Sequence, residues 1–147
     1  MALLAPADQD KLREAFAEMT HAVRLLFFTQ TIGCETCLET RQILDELPPL
    51  SDKIGIDEVN LVLDREQAAR FGIDRAPALA LLRQDGGGEP IDSRIRFLGA
   101  PSGWEFVSLV QAILLVGGRA SGLSDAHRER LAAVDRPLVL QVFTTPT

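Results

Sequence analysis

Val23-Arg24-Leu25-Leu26-Phe27-Phe28-Thr29 runs into Gln30-Thr31-Ile32-Gly33 and then Cys34-Glu35-Thr36-Cys37. The opening run is almost continuously apolar, the pattern of a central strand covered on both faces. The polar, glycine-bearing link that follows is a loop. The cysteines then open a helix, with Leu38, Arg41, Leu44 and Leu47 at its period and Pro48-Pro49 as its stop. Strand, loop and helix start thus place two thiols where backbone N–H groups are unpaired.

That placement suits thiol chemistry. A nucleophilic thiol must be a thiolate, and a helix N-terminus supplies partial positive charge to stabilise one. Cys34, at the very start, is the exposed candidate. Cys37, three residues on, falls on the same helical face one turn deeper and can attack a mixed disulfide formed on Cys34. These are the only two cysteines in the chain. A bridge across so short a loop restrains little of the unfolded chain, so its value lies in chemistry. Two alternatives stand beside a redox pair. The cysteines could be unreactive core residues, or half of a zinc site, although His21 and His127 supply no second paired motif.

Working outward, Asp8 to Met19 carries a helical apolar stripe at Leu12, Ala15, Phe16 and Met19. Asp57 to Asp64 alternates as a second strand through Val59, Leu61 and Leu63. Arg65 to Phe71 is a short helix closed by Gly72. Ala76-Pro77 heads the apolar strand Ala78 to Leu82, and Asp85-Gly86-Gly87-Gly88 turns it into a returning strand around Ile95 to Leu98. A helix capped by Ser102 or Gly103 follows, through Trp104, Phe106, Leu109, Val110 and Ile113 to Gly117-Gly118. The order α-βαβα-ββα implies an α/β fold with a central mixed four-stranded sheet and helices on both faces. Trp104 and Phe106 are expected in the core or an interface, and His21 at the surface or as a cap. A proline at the head of a strand donates nothing to the ladder. With a cis Ala76–Pro77 bond, the backbone of Ala76 would lie open for a substrate peptide to pair with as an added strand.

The composition narrows the partners. The 147 residues suit one domain, with 46% hydrophobic and 24% charged residues in the globular range. The net charge of −6, with both signs interleaved, offers no basic face to nucleic acid or anionic lipid. No apolar stretch is long enough to span a bilayer, and Met1 to Asp10 lacks the pattern of a secretory signal. A cytoplasmic protein is expected.

The strand–Cys-x-x-Cys–helix start together with Ile73-Asp74-Arg75-Ala76-Pro77-Ala78 resembles the active site and cis-proline loop of the thioredoxin superfamily. More narrowly, the chain is similar to the N-terminal half of the protein disulfide oxidoreductases, glutaredoxin-like proteins with two tandem thioredoxin-fold units. Phe27-Phe28-Thr29, Phe97-Leu98-Gly99-Ala100-Pro101-Ser102-Gly103 and Val142-Phe143-Thr144-Thr145-Pro146-Thr147 carry this likeness. It implies disulfide exchange with proteins, with Cys34 attacking, Cys37 resolving, and Ala76 and Pro77 contacting substrate, without cofactor or metal. It also implies protein dithiols and disulfides as partners, with a thioredoxin-reductase-like electron donor as a further one. Two departures stand out. Glu35-Thr36 replaces the Gly-Pro or Pro-Tyr between the cysteines, and a carboxylate beside Cys34 opposes thiolate formation. Val23 to Thr29 also lacks the buried carboxylate that thioredoxins place near the resolving cysteine. Alternative functions are an electron relay to a peroxide-reducing partner, and a slow docking half that supports a catalytic second unit.

The end of the chain repeats its beginning. Ser124 caps a helix to Val134, and Leu138 to Thr144 echoes Val23 to Thr29 in length, apolarity and its Phe-Thr finish. Residues 1–120 are therefore expected to form the thioredoxin-like domain. Residues 121–147 are expected to be a linker helix and the first strand of a second unit that continues past Thr147. Left without that unit, the strand is expected to pair with a second copy as a homodimer, or to lie on its own sheet edge.

Overall fold

In the computed structural model, which describes residues 3–145, the apolar run forms β1 (Ala22–Thr29) in the middle of the sheet. The sheet order is β2-β1-β3-β4. β2 (Ile54–Asn60) runs parallel to β1, whereas β3 (Ala78–Gln84) and β4 (Ile91–Leu98) continue antiparallel. Because successive side chains of a strand point to opposite faces, β1 feeds two cores. Val23, Leu25 and Phe27 join Leu79 and Leu81 on one face. Leu26 and Phe28 join Ala78, Ala80 and Leu82 on the other. An expected central strand covered on both sides is what forms.

The first face is covered by α1 (Pro6–Ala17), α2 (Cys37–Asp45), a 3-10 turn at Pro48–Leu50 and α4 (Trp104–Val116). The second is covered by α3 (Arg65–Arg70) through Ala68 and by Ile73. α3 ends as its glycine foretells. Gly72 sits at φ 68°, and Gly72 and Ile73 donate back to the carbonyls of Ala69 and Ala68, a Schellman closure. Gly118, at φ 110°, closes α4 in the same way through Leu115 and Leu114.

Several local expectations shift. β2 occupies Ile54–Asn60 rather than Asp57 to Asp64. The Asn60 side-chain oxygen accepts from the N–H groups of both Val62 and Leu63, folding the chain into an Asx turn that ends the strand. Leu63 is exposed as a result. In α2 the buried stripe is Cys37, Thr40, Ile43 and Leu44, and Leu38 faces solvent. β4 carries an irregularity opposite Ala80 and Leu82, where Arg94 adopts φ 64°. Asp92 braces it by accepting from the Arg94 N–H and from two nitrogens of Arg96.

The final segment departs most. α5 (Asp125–Ala132) forms, with the Ser124 hydroxyl accepting from the His127 N–H. Leu138 to Thr144, expected as a strand, is coil with Leu140 91% exposed and Phe143 90% exposed. It does not lie on the sheet edge of its own chain. A strand needs a neighbouring strand to take its ladder groups, and the sheet ends at β2 and β4 without this run. Among the described residues, no helix is long and apolar enough to cross a membrane.

Candidate redox site

Four chain segments meet at one end of the sheet. Thr29 pairs with Asn60 and Phe28 with Ala78, and Ala78 pairs with Leu98. The loops after β1, β2 and β4 and the loop entering β3 therefore converge on the exit of the central strand. The Cys34–Cys37 pair lies there as a disulfide with a Cα–Cα separation of 5.5 Å.

The loop that carries it is shaped locally. Gly33 sits at φ 75°, which glycine adopts without steric cost, and the Gln30 amide donates to the carbonyls of Ile32 and Gly33. α2 begins at Cys37, not at Cys34. Thr36 is the non-helical cap at φ −106°, ψ 6°, and its carbonyl accepts both the Thr40 N–H and the Thr40 hydroxyl. Cys34 thus stands in the loop just ahead of the helix, half-buried, while Cys37 is buried in the helix's first turn. The unpaired N–H groups of the helix start lie beside the disulfide, where negative charge on an opened sulfur would be stabilised.

The Ala76–Pro77 peptide is cis. Pro77 is buried, Ala76 is half-buried, and Cys34 and Ala76 pack against the same core cluster that holds Cys37. The Pro77 carbonyl accepts from Gly99 N–H at 2.9 Å, tying this loop to the end of β4. Among the described residues no backbone hydrogen bond engages Ala76. Just upstream, the exposed Asp74 and Arg75 side chains pair. The hydrogen bond and charge of Arg75 hold the Asp74 carboxyl below its ordinary value, and Asp74 raises Arg75 in return.

Large apolar side chains ring this end. Ile32 follows β1, Val62 and Leu63 follow β2, Leu98 ends β4 and Trp104 opens α4; Ile32 is 86% and Trp104 79% exposed. Trp104, expected in the core or an interface, is therefore at the surface of this chain, because Leu109, Val110 and Ile113 take the inward face of α4. His21, at the far end of the sheet, pairs with Asp85 at 2.7 Å. The residue reading missed Gln30 as a loop brace and the ion pair between Arg41 and Glu58 beneath α2. A polar side chain at a strand exit beside a glycine was the available signal for Gln30. Among the described residues no cluster of side chains suits a metal ion.

A Cys-x-x-Cys disulfide between a central strand and a helix, on a sheet of this order with a cis-proline entering the neighbouring strand, is the frame of a thioredoxin-fold redox protein. No protein-family model matches the chain. Over 70 residues, 47% of its length, it is 31% identical to a probable thioredoxin of Methanothermobacter thermautotrophicus, of which it covers 71%. The chain belongs to the thioredoxin family and is a dithiol–disulfide oxidoreductase of that type. Among solved structures it resembles the NTD_N/C domain of alkylhydroperoxide reductase AhpF from Enterococcus faecalis. The identity is 28% and the TM-score 0.78, over 90% of this chain and 62% of that one. It also resembles a protein disulfide oxidoreductase from Aeropyrum pernix, at 29% identity and TM-score 0.72, over 88% of this chain and 54% of that one. The chain thus spans a little over half of each of these solved neighbours.

Proposed function

We propose that this chain exchanges disulfides with protein substrates, with Cys34 as the attacking sulfur and Cys37 as the resolving one. The observation that carries the assignment is the difference in burial: Cys34 is reachable from solvent and Cys37 is not. A substrate disulfide accepts the Cys34 thiolate, one substrate sulfur leaves, and Cys37 then attacks Cys34 to release the second. The unengaged backbone of Ala76 offers an extended substrate segment a strand to pair with. Ile32, Leu63, Leu98 and Trp104 offer apolar contact on either side of it. Such a rim favours polypeptide substrates over small polar disulfides.

The test uses a disulfide-bonded protein such as insulin with dithiothreitol as electron donor. Cys34→Ser is expected to abolish exchange, and Cys37→Ser to accumulate a mixed disulfide on Cys34. A mixed disulfide that forms on Cys37 instead reverses the roles. Titrating the pair against glutathione sets the direction, since a midpoint below the cytosolic poise of about −220 to −260 mV marks a reductase.

A second reading, an electron relay to a peroxide-reducing partner, is favoured by the likeness to the alkylhydroperoxide reductase domain. It requires a reductase that reduces this disulfide directly. We also propose that residues 121–147 link to, and begin, a second thioredoxin-like unit. Every described residue from Gly118 onward is exposed, including an apolar run that folded proteins ordinarily cover. Light scattering of the 147-residue chain against a longer one tests this. A dimer of the short chain that is lost on deletion from Pro137 onward and that the longer chain does not form supports it, whereas a short chain that stays monomeric with Leu138 to Thr144 exposed opposes it.

A further inference from the structure

The sheet strand beneath Cys37 holds no carboxylate: β1 offers Val23, Leu25 and Phe27 to that face. What lies there instead is an ion pair. Arg41 of α2 bonds Glu58 of β2, and the Arg41 guanidinium sits 5.9 Å from the centre of the Phe27 ring. Phe27 and Glu58 are direct partners across β1 and β2, so both point to the face that α2 covers. Arg41 follows Cys37 by four residues and so shares its helix face, with Cβ atoms about 6 Å apart. Helical side chains lean toward the N-terminus, so the Arg41 side chain is within reach of the turn that holds Cys37. The pair lines a water-open pocket of about 340 Å³ with Phe27, Leu44 and Asp45. Both side chains are half-exposed.

We propose that Arg41, gripped by Glu58 while the disulfide is closed, is the positive charge that holds Cys37 as a thiolate once it opens. The inference rests on the resolving role given to Cys37 above. In the resolving step Cys37 loses its proton to solvent and its thiolate forms a bond to Cys34 Sγ. The Cys34–substrate bond breaks, and the electron pair leaves with the substrate sulfur, which takes a proton from solvent. Two electrons pass from the dithiol to the substrate. Arg41 acts before the bond change, by favouring the charged form of the attacking sulfur; Glu58 competes with that sulfur for Arg41. The other charges around Cys37 are acidic or already paired. Glu35, Glu39 and Asp45 belong to α2 or the turn before it, Asp57 pairs with Arg24 on the opposite face, and Asp74 pairs with Arg75. Arg41 is therefore the cation whose removal Cys37 would feel.

The test is the ultraviolet titration of the Cys37 thiolate in a Cys34→Ser background, with circular dichroism to confirm folding. Arg41→Gln is expected to raise the titration midpoint by about 0.5–1 unit, a value below that of a desolvated pair because Arg41 is half-exposed. Arg41→Lys is expected to restore most of it, and Glu58→Gln to lower the midpoint by freeing Arg41. An Arg41→Gln midpoint that matches the parent overturns the inference. So does a Glu58→Gln midpoint that rises, since Glu58 would then not be competing for Arg41. The insulin assay separates the two levels. An active wild type with an unmoved midpoint sinks the Arg41 role alone. An inactive wild type with a shifted midpoint leaves the charge coupling standing and sinks the exchange reading.

Discussion

Arg96 of β4 holds together more of the second core face than its surface position implies. Its guanidinium bonds both oxygens of Asp92 at 2.8 and 2.7 Å and donates to the Phe71 carbonyl at 3.0 Å. It also lies 5.5 Å from the Phe71 ring centre. It thereby couples the irregular part of β4 to the end of α3, the element that feeds the Ala76–Pro77 loop. Arg96→Met keeps the apolar stem and removes these polar contacts. Partly exposed charge-assisted bonds and one cation–π contact sum to about 2–3 kcal/mol. For a domain of this size that lowers the melting temperature by roughly 4–10 °C. The loss should depend on pH. The hydrogen bond from Arg96 holds the Asp92 carboxyl below its ordinary value, although partial burial opposes this. A group whose folded value is depressed adds stability above its unfolded value, near 4, and that stability fades as pH falls through the folded value. Urea unfolding at pH 7 and pH 3 should therefore show a large Arg96→Met penalty at the first and a smaller one at the second. Equal penalties at both would refute the ion pair as the source, and a penalty under about 0.5 kcal/mol at pH 7 would refute the coupling altogether.

Three further outcomes follow from the same coordinates. Gly118→Ala combines a φ of 110° with a new Cβ pressed onto the Thr20 side chain, and thermal melting should show a loss of about 2–4 kcal/mol. Adding Thr20→Ala should recover only part, because the backbone strain remains; full recovery would make the clash the whole effect. Deleting residues from Pro137 onward should move the melting temperature by less than about 2 °C, since the segment is exposed and its bond from Thr144 to Glu105 is a surface one. A larger drop would mean that the segment covers part of the domain in solution. Trp104→Ala should leave stability unchanged but raise KM for a protein disulfide severalfold, with little change for a small disulfide. An equal effect on both substrates would place Trp104 outside the docking rim.

The fold and the cysteine pair were legible along the chain because both depend on local order. A run such as Val23 to Phe28 is apolar at every other position in both phases but for Arg24, so it sits between two cores. Cys34 and Cys37 lie close together whatever the rest of the chain does. Gly72 and Gly118 marked helix ends because a left-handed residue is a backbone property. What escaped depends on distance. β2 ends earlier than its alternation suggests because the Asn60 side chain captures two N–H groups of the following turn, a competition between side chain and ladder that apolar spacing does not record. Trp104 faces solvent because α4 has more apolar residues than its inward face can hold, and which of them turn inward is set by β3 and β4. Leu138 to Thr144 has the composition of a strand and remains coil, since a strand requires a neighbour to bond with. Arg41 and Glu58 stand seventeen positions apart in the chain; they meet because a parallel crossover lays α2 across β1 and β2, and no pattern within either element announces the other.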